Sequence, residues 1–165
     1  MKTLKTNAFF PGTFDPVTLG HEDLIQRAAK MFQHLIVAVT TNPEKQPLLS
    51  ISERIKLIQT SCQHLRNVSV VEFNGLLVDF VSPQPGPLII RGVRSVNDYI
   101  YEHDRAMMNQ SLKSDLETIF LPSQPKFSSL SSTLVREIAK LKGDLNPFVS
   151  PHVREKLNHY GFKDN

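Results

Sequence analysis

One cysteine, no tryptophan and only seven glycines among 165 residues narrow what this chain can be. The lone Cys62 excludes an internal disulfide and a thiolate-rich zinc centre. The six histidines, at positions 21, 34, 64, 103, 152 and 159, are dispersed, with no close pair at metal-ligand spacing. Lysine and arginine number 19 against 16 Asp and Glu, a net charge of +3, yet no consecutive basic block forms. A nucleic-acid-binding tail therefore has no support. The longest purely apolar run, Leu35–Val39, is far short of the roughly 20 residues that span a bilayer. The stretch MKTLKTNAFFPGTF lacks the apolar core of a secretory signal and is interrupted by Pro11-Gly12. These absences lead to the expectation of a soluble cytoplasmic protein with no membrane and no nucleic-acid partner, in which the Asn67-Val-Ser sequon is idle. Neither common phosphate loop, G-x-x-x-x-G-K-[ST] or G-x-G-x-x-G, occurs anywhere.

What is present is an ordinary globular balance, 40% hydrophobic and 21% charged, and a length that suits one domain over residues 1–165. Short β-rich runs alternate with amphipathic patterns. Strands are expected at Thr6–Phe10, Leu35–Thr40, Val68–Phe73, Leu88–Ile90 and Thr118–Leu121. Between residues 20 and 32, Leu24, Ile25, Ala28, Ala29 and Phe32 recur at helical spacing. Ser50-x-x-Glu53 is a capping-box signature, and the helix behind it aligns Ile55, Ile58, Cys62 and Leu65. Further helices are expected over Leu76–Val81, 97–112 and 132–142, the last stopped by Gly143, with a turn at SPQPGP. A final helix is expected after Ser150-Pro151, with Ser150 as its N-cap. This alternation predicts an α/β fold: a doubly wound, Rossmann-like, parallel five-stranded sheet with helices on both faces. Such sheets bind ligands at the carboxyl ends of their strands, so the residues just after each strand are the ones to interrogate.

The first strand is followed by Pro11-Gly12-Thr13-Phe14-Asp15-Pro16-Val17-Thr18-Leu19-Gly20-His21. Gly12 lets the backbone turn close to a ligand, and Thr13 offers a hydroxyl. Gly20-His21 stands at a helix start, where free N–H groups favour phosphate. The segment FPGTFDPVTLGH resembles the nucleotidyltransferase signature H-x-G-H, in the variant that begins with threonine, Thr18-Leu19-Gly20-His21. Further stretches follow in order: Asn42-Pro-Glu-Lys45, Arg91-Gly92-Val93-Arg94, Asp98-Tyr99-Ile100-Tyr101-Glu102 and Leu130-Ser131-Ser132-Thr133. Together, over about residues 10–157, they resemble the bacterial phosphopantetheine adenylyltransferases.

The resemblance implies adenylyl transfer from ATP, with magnesium, to 4′-phosphopantetheine, giving dephospho-coenzyme A and pyrophosphate. It also implies a homohexamer and feedback inhibition by coenzyme A. Carried over residue by residue, His21 is the catalytic residue at the α-phosphate, and Thr13 contacts the phosphates of both substrates. ATP is expected at Thr13, Phe14, His21, Gly92, Val93, Arg94 and Glu102, and at the span Phe127, Ser128, Ser129, Leu130, Ser131, Ser132 and Thr133. The pantetheine substrate is expected at Thr13, Lys45, Leu77 and Arg91, and no residue is assigned as a protein-held metal ligand. The chain departs from the family pattern at Phe127, Ser129 and Asp104, where tryptophan, an aromatic residue and glutamine are frequent. The chemistry suits the residue types. The attacking phosphate, with a second pKa near about 6, is largely dianionic at neutral pH and needs no general base. Cations, hydroxyls and a helix start can align the reactants and neutralise spreading charge.

Plainer readings stand beside these. Ser131 is first of all a helix N-cap, Arg91 and Arg94 are candidates for structural ion pairs, and Glu102 for a pair with Arg105. Cys62 reads as an inert core residue, and Met107-Met108 as packing or subunit contact. The rival functions are a related transferase with nicotinate mononucleotide or a cytidylyl-transfer acceptor, and a non-catalytic nucleotide sensor or RNA-binding domain.

Overall fold

In the computed structural model, residues 4–40, 47–83 and 86–160 are described. The elements run β1 (Leu4–Gly12), α1 (Leu19–Met31), β2 (Phe32–Thr40), α2 (Ile51–Cys62), β3 (Val68–Phe73) and α3 (Leu77–Val81). They continue with β4 (Leu88–Val93), α4 (Val96–Leu112), β5 (Glu117–Pro122), a 3-10 turn (Pro125–Phe127), α5 (Ser132–Lys140) and α6 (Pro151–Asn158). Each strand pairs in parallel with its neighbours in the order β3-β2-β1-β4-β5. The doubly wound five-stranded sheet expected from the sequence is the fold observed.

Both faces of the sheet are covered, which is why the central strands carry apolar residues in succession. In β2, Leu35, Val37, Ala38 and Val39 are all fully buried. In β1, Ala8 and Phe10 point into a core built with α1, α2, α5 and α6, while Phe9 points into a second core with Val78, Val81, Ile89 and Leu116. α4 lies on this second face, packed along β4 and β5. β1 is the pivot: the chain lays β2 and β3 on one side of it, then β4 and β5 on the other. A crevice opens at such a reversal, between the carboxyl ends of β1 and β4.

Local signals explain most boundaries. Ser50 accepts from the Glu53 N–H, while the Glu53 carboxylate accepts from the Ser50 N–H at 2.9 Å, completing the box that starts α2. Several expectations change. β1 runs on through Pro11 and Gly12, which pair with Ala38 and Val39, and Phe32, expected on the helix, opens β2 instead. β4 runs on to Val93, so Arg91 and Gly92 lie within the strand, paired in register with Phe120 and Leu121. α5 ends at Lys140 rather than Lys142, and Lys142, not the glycine, takes the left-handed backbone at φ 57. There the Gly143 N–H donates to Ile138 O and the Lys142 N–H to Ala139 O, a Schellman closure. Gly143 is needed for space, since a Cβ there would stand 2.8 Å from Ile138 Cγ2. Finally, Ser150 makes no side-chain cap to α6, and its hydroxyl donates to Glu22 Oε1 at 2.9 Å.

On α2 the buried side is Arg54, Leu57, Ile58 and Cys62, with Ile55 only partly buried, and Leu65, expected on this helix, lies beyond its end at Cys62. A charged residue occupies a place that apolar periodicity alone would assign to a hydrocarbon.

Candidate active site

The turn after β1 is shaped by close contacts. Phe14 sits at φ 49, a left-handed conformation that costs a non-glycine residue roughly 1–2 kcal/mol. Its ring meets Phe10 and His21 edge-on, with centroids 5.6 and 5.1 Å away. A Cβ on Gly12 would come within 2.9 Å of that ring, so glycine is what lets Phe14 fold back over the strand end. Asp15, buried, accepts from the N–H groups of Leu48 and Leu49 at 2.8 and 2.9 Å. Arg136 donates to the Asp15 carbonyl.

His21 is the third residue of α1, and its ring completes the helix's capping box. Thr18 Oγ1 accepts from the His21 N–H, and the Thr18 N–H donates to His21 Nδ1 at 3.2 Å. Because Nδ1 accepts from a backbone N–H, the ring proton belongs on Nε2. Burial, then the charges of Arg94 and Arg91, lower the pKa from 6.5 to about 4. At neutral pH His21 is thus an uncharged imidazole that can donate one hydrogen bond from Nε2.

The arginines at the end of β4 are held, not loose. Arg91 grips Glu102 through Nε and Nη2, both at 2.6 Å, and donates from Nη1 to Pro11 O at 2.7 Å. Glu102 therefore pairs across to the strand; Arg105, its other candidate partner, donates to Tyr101 Oη instead. Arg94 binds Asp98 through Nε at 2.7 Å and reaches Leu130 O at 2.9 Å, holding the Asp98 carboxyl below its ordinary pKa. At the start of α5, Ser131 is the N-cap, accepting from the Leu134 N–H at 3.2 Å. The Ser132 hydroxyl donates to Pro16 O at 2.8 Å, joining this helix start to the β1 turn.

Two cavities meet here. The first, about 550 Å³, is lined by Thr13, Phe14, His21, Arg91, Gly92, Arg94, Glu102, Phe127, Leu130, Ser131, Ser132 and Thr133 from the expected set. The second, about 480 Å³, shares Pro11, Gly12, Thr13, Arg91 and Glu102 with it, and extends past Thr40, Phe73, Leu76 and Leu77 to Tyr101, Arg105 and Asn109 on α4. Val93, Ser128 and Ser129 line neither cavity. The Ser128 hydroxyl turns back onto Pro125 O at 2.8 Å. Lys45, with Asn42–Glu44, lies outside the described residues.

Sequence reasoning quoted Asp15, Asp98 and Tyr101 within motifs without giving them a role, and did not single out Ser123 and Arg136 at the first cavity or Arg105 and Asn109 as lining of the second. Arg136 had a legible signal. It follows Ser132 by four residues, and so shares its side of the helix. Among the described residues no group of three or more His, Cys, Asp or Glu is arranged to hold a metal ion, and no helix is long and apolar enough to cross a membrane.

Comparison with known proteins finds a family model, cytidylyltransferase-like, that matches residues 9–138. Among solved structures, a Vibrio parahaemolyticus protein provisionally named as a nicotinate-nucleotide adenylyltransferase superposes with a TM-score of 0.72 at 17% identity, over 98% of both chains. The nicotinic acid mononucleotide adenylyltransferase of Plasmodium falciparum, complexed with NaAD, gives 0.71 at 14% identity, over 97% of this chain and 99% of that one. A bifunctional NMN adenylyltransferase/ADP ribose pyrophosphatase from Francisella tularensis, complexed with AMP and a manganese ion, gives 0.69 at 13%, over 95% of this chain and 49% of that one. At these identities the likeness is one of fold.

Proposed function

Because the chain belongs to the cytidylyltransferase-like family, and is on that ground a nucleotidyltransferase, we propose that it transfers the adenylyl group of ATP to 4′-phosphopantetheine, giving dephospho-coenzyme A and pyrophosphate. One observation supports this reading most: two cavities share a wall made by the β1 turn and the Arg91–Glu102 pair. The first holds the triphosphate side, with His21, Arg94 and the α5 start. The second, walled by Phe73, Leu76 and Leu77 opposite Tyr101 and Asn109, suits a long, flexible acceptor with amides along its arm.

In this reading Thr13, at the junction, contacts both phosphates, and His21 Nε2–H donates to an α-phosphate oxygen. An oxygen of the acceptor's phosphate attacks the α-phosphorus, and the bond to the bridging oxygen of pyrophosphate breaks with its electron pair. No proton needs to be removed, so a neutral histidine serves as donor rather than base. Arg94 and Arg136 offset the charge on the phosphates, Ser132 and Thr133 present the start of α5 to them, and Lys45 and Arg91 serve the acceptor. Magnesium, when bound, neutralises the triphosphate and screens the leaving group. Asp98 and Glu102 already accept from arginines, and Asp15 from Leu48 and Leu49. The donor set therefore fits an ion that arrives with ATP. Val96, Ile100 and Met107, spaced along one side of α4 and exposed, support self-association, with a homohexamer as the proposed state and coenzyme A as a proposed feedback ligand.

The names of the three structural neighbours favour a second acceptor, a nicotinate or nicotinamide mononucleotide. Pyrophosphate release from ATP and magnesium, with 4′-phosphopantetheine and nicotinate mononucleotide offered separately, decides between them. Release with the first alone is the expected result. Release with the second alone keeps the chemistry and replaces the acceptor, and silence with both removes the proposal.

A further inference from the structure

Among the described residues, the largest fully buried side chain is a charged one. Arg54, on α2, is 1% exposed. Among the described residues its hydrogen bonds all run to main-chain carbonyls: Nε to Leu49 O at 3.1 Å, and Nη1 to Thr13 O at 2.7 Å and Thr40 O at 2.9 Å. Burying a guanidinium costs several kcal/mol before compensation, roughly, so an apolar side chain would be the cheaper filler for a core position. The charge has a reason in what it touches. Thr13 follows β1 and Thr40 ends β2, the places where parallel pairing stops and carbonyls lose their ladder partners. A planar guanidinium offers five donors in fixed directions, and so can bind several such carbonyls at once.

These carbonyls belong to the site. Thr13 lines both cavities and Thr40 lines the second. Asp15 braces the same place from the other side, its carboxylate accepting from the N–H groups of Leu48 and Leu49. Arg54 thus ties together carbonyls of three segments, after β1, at the end of β2 and before α2, while Asp15 holds the N–H groups of the last of them. The charges that face Arg54 are the carboxylates of Asp15 and Glu72.

We propose that Arg54 is a positioning residue: by clamping the carbonyls of Thr13, Thr40 and Leu49 it fixes the floor on which the two cavities meet. As far as turnover is concerned, this rests on the transfer reaction proposed above. The test uses the full chain carrying Arg54→Lys, which keeps a buried cation but lacks the planar fork. Turnover at saturating substrates falls about ten- to hundredfold, the scale of a small misplacement of reacting groups. Amide hydrogen exchange accelerates at Thr13–Asp15 and at Leu48–Ser50 while β3 and β5 keep their protection. Turnover within twofold of the parent overturns the proposal, as does a loss that tracks a general loss of protection across the sheet. If the parent chain releases no pyrophosphate with either acceptor, the reaction assigned above fails. The exchange pattern alone then decides the role of Arg54, local acceleration supporting it and an unchanged or global pattern overturning it. Arg54→Met, of similar length but uncharged, replaces the lysine variant if that one does not fold; the same measurements then support or overturn the role in the same way.

Discussion

His21→Ala and His21→Glu are expected to fail differently, because the two nitrogens of this ring have separate tasks. Nδ1 accepts from the Thr18 N–H and closes the capping box of α1, while Nε2–H is left to donate into the first cavity. Alanine removes both. Losing the ring's half of the box, with Thr18 Oγ1 still accepting from the N–H of residue 21, costs at most about 1 kcal/mol, which in a chain of this size lowers the melting temperature by up to about 2–4 °C. Losing one donor at the developing charge lowers saturated turnover by about 10²–10³-fold. Glutamate, the ordinary partner at this position of a capping box, accepts from the Thr18 N–H as Nδ1 does but has no proton to give. Thermal melts should therefore place His21→Glu close to the parent and His21→Ala below it, while pyrophosphate release stays low in both. The reasoning is refuted if glutamate fails to recover the stability that alanine loses. It is equally refuted if alanine keeps its saturated turnover and loses only ATP affinity.

The same ring should titrate near 4 when followed by NMR in the free protein, and a midpoint near 6.5 would remove the argument from burial and the two arginines. The sign follows: the unfolded chain takes up the proton first, so this group costs stability as pH falls from 6.5 towards 4, a loss missing in His21→Ala. Gly92→Ala would bring a Cβ to 2.4 Å from Leu24 Cδ1 on α1, one turn beyond His21. Urea denaturation should show a loss of about 1–3 kcal/mol, and the loss should shrink when Leu24→Ala is already present; simple additivity would count against the clash. Cys62, buried and with its thiol pushed up to about 11, should resist thiol reagents until the protein unfolds; fast labelling of the native protein would contradict that burial.

The elements were legible wherever a local cause sets them. Val68–Phe73 is a strand by its own β-branched run, and α2 starts where Ser50 and Glu53 can satisfy each other's N–H groups. Endings decided by distant contacts were not legible. β4 runs on to Val93 because Gly92 and Val93 pair with Leu121 and Pro122 of β5, and the Ser150 hydroxyl goes to Glu22 on another helix rather than to α6. Two of the motifs stand where a local cause puts them, Thr18–His21 at the start of α1 and Leu130–Thr133 at the start of α5, whereas Arg91–Val93 lie within β4 and Asp98–Glu102 within α4. Val93, within one motif, and Ser128 and Ser129, just before another, line neither cavity, the Ser128 hydroxyl turning back onto Pro125 O.

By itself the sequence determined the order of strands and helices, the parallel sheet they must build, and the group of residues at its carboxyl edge. Hydrophobic periodicity, capping and glycine placement act over a few residues and can be read in a line. The tertiary structure alone decided which charges are engaged. Glu102 chose Arg91 over Arg105, Arg54 took three carbonyls in the core, and the ring of His21 was left uncharged with its proton on Nε2. The tautomer of His21 follows from the Thr18 N–H three residues away, but the pairings and the loss of charge depend on burial and on groups brought together from segments far apart in the chain, and neither exists until the sheet has closed.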